Sequence, residues 1–156
     1  MSVTLSNLVR LSHIDTYSYE HYNERIDRTI ASITPLLGRT PRAAANSLSA
    51  LIRREAGCRQ FIVSGSRRSN GVKTYIDLIH KKGLLGGNDM LIHLDPDNLP
   101  KGLVERNEVL KGLVEDIEKR KLEGKDIPED VRLCQGFICQ LPVSGMKDVE
   151  KLVTGD

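Results

Sequence analysis

Arg42, Asn46, Ser49 and Arg53 recur at i, i+4, i+7 and i+11, the spacing that puts side chains on one face of a helix. Their chemistry suits the edges of base pairs. Arg can grip guanine with two hydrogen bonds, Asn can do the same with adenine, and Ser bonds either a base or a phosphate. Just ahead of them, Arg39 and Thr40 are placed to hold a phosphate at the positive end of such a helix. Arg67 and Arg68 follow on a glycine-bounded loop, and Lys73 closes a segment from Arg39 that carries eight basic residues and one acid, Glu55. That segment is +7, residues 1–38 are −1 and residues 74–156 are −4, an asymmetry hidden in the +2 of the whole chain. A dense cationic stretch between acidic ones suits a large anion, and a phosphate backbone is the commonest one. A solvated basic face without a partner is the plain alternative.

Two other sets of residues bear on chemistry. Asp89, His93, Asp95 and Asp97 are the types that hydrolytic metal sites use, and His93-x-Asp95 puts an imidazole and a carboxylate on one side of a strand. Asp95-Pro96-Asp97-Asn98 reads equally well as turn chemistry. Cys134 and Cys139 form a Cys-x4-Cys spacing with no second ligand pair nearby, so they read as buried thiols rather than half of a zinc site. No serine lies in a nucleophile elbow, and no phosphate-binding glycine loop ends in Lys-Ser/Thr. No catalytic residue, cofactor or metal is therefore assigned.

These side chains need elements to carry them. Residues 17–37 read as helix, with Ile26, Ile30, Ile33 and Leu37 on one side and Pro35 as a candidate break point. Gly38 is a helix stop, Thr40 a cap and Pro41 a first helical residue, so the next helix is expected over Pro41–Ala56, ending at Gly57. Its apolar stripe is Ala44, Leu48 and Leu51, broadened by Ala45 and Ile52. Phe61-Ile62-Val63 is strand-like. Residues 72–79 fit either a strand paired through Asn70-Gly71 or a helix, and the helix is preferred because Lys81-Lys82-Gly83 resembles a helix end. A small hairpin is expected between Leu84-Leu85 and Met90–Leu94. Leu103–Leu122 reads as one helix with a Leu103, Leu110, Ile117 stripe, for packing or dimerisation. Val131–Leu141 suits a strand, and residues 149–153 a short helix.

Residues 33–44, Ile-Thr-Pro-Leu-Leu-Gly-Arg-Thr-Pro-Arg-Ala-Ala, resemble the turn and reading-helix start of the helix-turn-helix superfamily, over about 26–56 of the chain. The resemblance implies that the second helix enters a DNA groove, and the glycine-bounded loop with Arg67 and Arg68 resembles a wing tip reaching a neighbouring phosphate or the minor groove.

At 156 residues, 39% hydrophobic and 28% charged, the chain is of ordinary globular composition. The expected fold is α+β and predominantly helical: a helix-turn-helix, winged-helix-like unit over 1–98 and a helical segment over 99–156. The expected function is nucleic-acid binding, with duplex DNA favoured over RNA because aromatic residues are scarce in the basic segment. A regulatory role follows only by association with that fold class. A homodimer would suit paired half-sites. The rival reading is an adaptor that docks an acidic protein surface, with a metal-dependent hydrolase behind it. No signal peptide or membrane span is visible, and three cysteines at no framework spacing suggest a cytoplasmic protein with reduced thiols.

Overall fold

Helix α1 (Ser2–Ile14), helix α2 (Tyr19–Arg39) and helix α3 (Ala45–Ala56) come first in the chain, ahead of every strand. The computed structural model describes residues 2–40, 42, 45–83 and 89–155. α1 packs on both α2 and α3. Leu5, Leu8 and Val9 of α1 bury against Ile26 and Ile33 of α2 and Ala50 of α3, a small core at the expected helical spacing. α2 does not break at Pro35. It runs on through Gly38 to Arg39, and Thr40 closes it by giving its N–H to Leu36 O at 2.8 Å. Thr40 therefore ends α2. Pro41, Ala43 and Ala44 lie outside the described residues, and α3 starts at Ala45.

α3 is rotated from the expected orientation. Ser47 and Ala50 are its buried residues, with Leu51 and Arg54 half-buried, whereas Leu48 and Ile52 are 38% and 69% exposed. The small side chains let α3 lie close to α1, and Arg54 is held there by Asp27 of α2 at 2.7 Å. α3 ends at Gly57, whose φ of 78° favours glycine.

Beyond it lies a four-stranded sheet in the order β2–β1–β3–β4, made of β1 (Arg59–Ser64), β2 (Met90–Leu94), β3 (Asp130–Gln135) and β4 (Ile138–Cys139). β1 pairs in parallel with β2 and antiparallel with β3. Being central and covered on both faces, it is buried from Gln60 to Ser64 without alternation. Helix α4 (Asn70–Leu78), lengthened by a π-helical turn to Gly83, joins β1 to β2, so the preferred helical reading of 72–79 holds. The first arm of the expected hairpin, Leu84-Leu85, lies outside the described residues, and Met90–Leu94 finds its strand partner in β1.

One sheet face packs Phe61 and Val63 against Val72, Tyr75 and Ile79 and against Val149 and Val153 of helix α7 (Met146–Thr154). The other packs Ile62, Ile92 and Leu94 against Leu110, Val114 and Ile117 of helix α6 (Glu108–Leu122). The single helix expected over Leu103–Leu122 is two: a short α5 (Lys101–Val104), then α6. Asn107 divides them, because its buried side chain accepts the Leu110 N–H and donates to Ile14 O. The stripe expected on this helix lies on its own sheet. Because β3 pairs with β1, residues on both sides of position 98 share the sheet and both of its cores. The fold is thus mixed α+β and mainly helical, with seven α-helices among the described residues.

Candidate nucleic-acid interface

The basic segment divides into inward and outward side chains. Arg54 reaches Asp27, and Arg59 clamps Asp89 at 2.6 Å, donates to Gly83 O at 2.8 Å and lies 5.5 Å from the Phe61 ring centroid. Arg39, Arg42, Arg67, Arg68 and Lys73 are exposed and form no ion pair among the described residues. Thr40 is exposed with its hydroxyl directed at Leu36 O. Asn46 is exposed and Ser49 half-buried, and the Arg53 side chain lies outside the described residues. Of the expected reading face, Arg42 and Asn46 are therefore open to solvent.

Two clusters result. Arg39, Arg42 and Asn46 surround the α2–α3 connection. Arg67 and Arg68 lie on the turn from β1 into α4, and Lys73 lies in the first turn of that helix. This turn is a strand-to-helix connection and not the tip of a hairpin. Its shape is set by Gly65, whose φ is 124° and whose added Cβ would meet Val72 at 2.8 Å. Ser69 then caps α4 by accepting the Gly71 N–H at 3.1 Å. Gly65 N–H also reaches Leu94 O at 3.3 Å, so the carboxyl ends of the two parallel strands meet here. A cleft of about 390 Å³ opens beside Arg67 and Lys73, walled by Ile76, Asp77, Leu91 and His93. α3 enters β1 at the strand's first residue, whereas Arg67 and Arg68 follow its last, six extended residues and about 16–20 Å further on.

The metal-site set does not converge. Asp89 is engaged by Arg59, His93 Nε2 lies 2.9 Å from Gly65 O, Asp95 accepts the Asp97 N–H, and Asp97 pairs with Lys121 at 3.2 Å. Cys134 and Cys139 are cross-strand partners joined by a disulfide, which corrects the reading of both as reduced thiols. Cys58 is a buried thiol outside the disulfide, and desolvation first, then the nearby Asp89 charge, pushes its pKa up to about 12. A thiol so disposed is a weak nucleophile. Asp130, buried opposite Ser64 at the end of β1, has its carboxyl raised above the usual range by burial, which outweighs the favourable Arg132 charge and the Ser64 hydrogen bond.

Sequence reasoning passed over two features. Leu48 and Ile52 read as core because they are large and apolar; only the small size of Ser47 and Ala50 signalled the face that packs. Phe137, at the β3–β4 turn, lies beside a cavity that sequence reading did not anticipate; its signal was a Gly136-Phe137 pair centred between two cysteines. Among the described residues no helix is long and apolar enough to cross a membrane. No protein-family model matches the chain, and no match was found among curated proteins or solved structures.

Proposed function

We propose that this protein binds nucleic acid, duplex DNA in preference to RNA, through the two outward cationic clusters, with α2 and α3 acting as a helix-turn-helix pair. The observation that carries this reading is the division of one basic segment: its inward arginines have carboxylate partners, and its outward cations have none among the described residues. An exposed guanidinium without a protein partner is a ready phosphate ligand, and each phosphate neutralised releases counterions. Asn46 and Arg42 add groups able to read adenine and guanine.

Fluorescence anisotropy with labelled duplex DNA, single-stranded DNA and RNA, each at two salt concentrations, tests this directly. Duplex affinity is expected to fall steeply with salt, and Arg42→Ala with Asn46→Ala to weaken it by about tenfold or more. Absence of salt-sensitive binding removes the proposal, and an unaffected double variant removes α3 from it.

One observation favours a second reading, an adaptor that docks an acidic and apolar protein surface: Ile52 is 69% exposed on α3 beside Leu48. Ile52→Lys separates the two. An added cation on that helix strengthens duplex binding if nucleic acid is the partner, and abolishes docking if Ile52 is an apolar anchor.

A further inference from the structure

Phe137 is the one residue other than glycine with a positive φ among the described residues, at 66°. A bulky side chain is strained there, and such strain persists only where the surroundings enforce it. Gly136, at 57°, and Phe137 are the two central residues of the turn that pairs Gln135 with Ile138. Asn and Gly are the favoured residues of this turn geometry. The adjoining Cys134–Cys139 disulfide closes the hairpin. The Phe137 ring is not sunk into a core: it is 40% exposed and meets Tyr19 edge-on, with centroids 5.0 Å apart. Beside it opens a cavity of about 460 Å³ lined by Thr16, Tyr19, Glu108, Val109 and Phe137, a size that suits a small ligand.

The lining selects for a cation. Aromatic faces attract positive charge, and Glu108 is exposed without an ion pair among the described residues. The amino terminus of α6 offers an anion little, since the Glu108 N–H already goes to Thr16 Oγ1 at 3.0 Å and the Leu110 N–H to Asn107 Oδ1 at 3.1 Å. Arg106 is directed to Asp15 at 3.5 Å. Burial lowers the pKa of His13, whose ring centroid lies 6.3 Å from that of Phe137, and so favours the neutral imidazole.

We propose that this cavity binds an alkylammonium group, its charge met by Glu108 and its methyl groups by the Tyr19 and Phe137 rings. The strained turn then has a purpose, which is to hold one aromatic wall in place before the ligand arrives.

Amide NMR titrations with choline and with dimethylbutanol, its uncharged carbon analogue, test the proposal. Choline is expected to give saturable shifts at Thr16, Tyr19, Glu108, Val109 and Phe137, and dimethylbutanol to bind about tenfold more weakly. Glu108→Gln should weaken choline by about five- to tenfold, as should Phe137→Asn, which removes the ring but suits the left-handed turn. A melting curve for each variant confirms that it folds. Equal affinity for the two probes, shifts confined to other residues, or no saturable shift overturns the proposal. A trimethyllysine peptide that binds more tightly than choline at the same residues supports it with a protein as the source of the group; tighter choline supports it with a free small molecule.

Discussion

At the start of β1 the basic segment turns its arginines inward, and at the end of the same strand it turns them outward. Arg54 and Arg59 meet Asp27 and Asp89, whereas Arg67 and Arg68 follow Gly65 into an exposed turn at the carboxyl ends of two parallel strands. The difference teaches that a +7 segment is not one surface. A guanidinium beside a carboxylate 7% exposed holds the fold together, and one in water without a partner is available to something else.

The largest effect expected from this contrast is on stability at the inward end. Arg59→Ala takes the guanidinium from Asp89, a donor from Gly83 O and a cation from the Phe61 ring, and should cost about 2–3 kcal/mol, reduced from a fully buried pair by the partial exposure of Arg59. Urea denaturation measures it, and an effect as small as that of a surface arginine would break the comparison. At the outward end, Arg67→Ala with Arg68→Ala should leave stability within about 0.5 kcal/mol and weaken duplex binding uniformly across sequences.

Asp130 gives a pH-dependent test. Burial raises its carboxyl pKa in the folded state, so the folded protein holds that proton more tightly than the unfolded chain does. The cost to stability is absent below the ordinary carboxylate pKa, grows as pH rises through it, and is complete above the raised value. Asp130→Asn, which keeps a polar group beside Ser64 and Arg132, should therefore melt higher than the parent at neutral pH. The gain should vanish on acidification. A gain that grows in acid contradicts this assignment. The smallest effect belongs to Arg54→Ala. Asp27 is 63% exposed, solvent screens the pair, and removing it should cost about 0.5 kcal/mol by the same denaturation measurement, with duplex affinity unchanged.

Local patterns made part of this molecule legible. The isoleucines of α2 marked its buried face, Gly57 the end of α3, and Phe61-Ile62-Val63 the central strand, because each signal lies within one turn or one strand. The parallel pairing of β1 with β2 was hidden, since it depends on a crossover through α4 rather than on a turn motif. Asn107 looks like an interruption within a polar helix face, and its role as a buried cap depends on Ile14 O, far away in sequence. The orientation of α3 misled because size is not burial: Ser47 and Ala50 pack where Leu48 and Ile52 were expected. The candidate site was legible as residue types and not as geometry. Nothing local distinguishes Arg54 and Arg59 from Arg67 and Arg68, because the carboxylates that claim the first pair lie 27 and 30 residues away in sequence.

The central claim is that the outward cations meet phosphates and the inward ones do not. The most direct test is the slope of log affinity against log salt for a labelled duplex, compared among the parent protein, Arg67→Ala/Arg68→Ala and Arg54→Ala. The account predicts a slope shallower by about 1.8 for the double variant, roughly 0.9 for each phosphate that is no longer neutralised, and no change for Arg54→Ala. One common slope for all three proteins would contradict it.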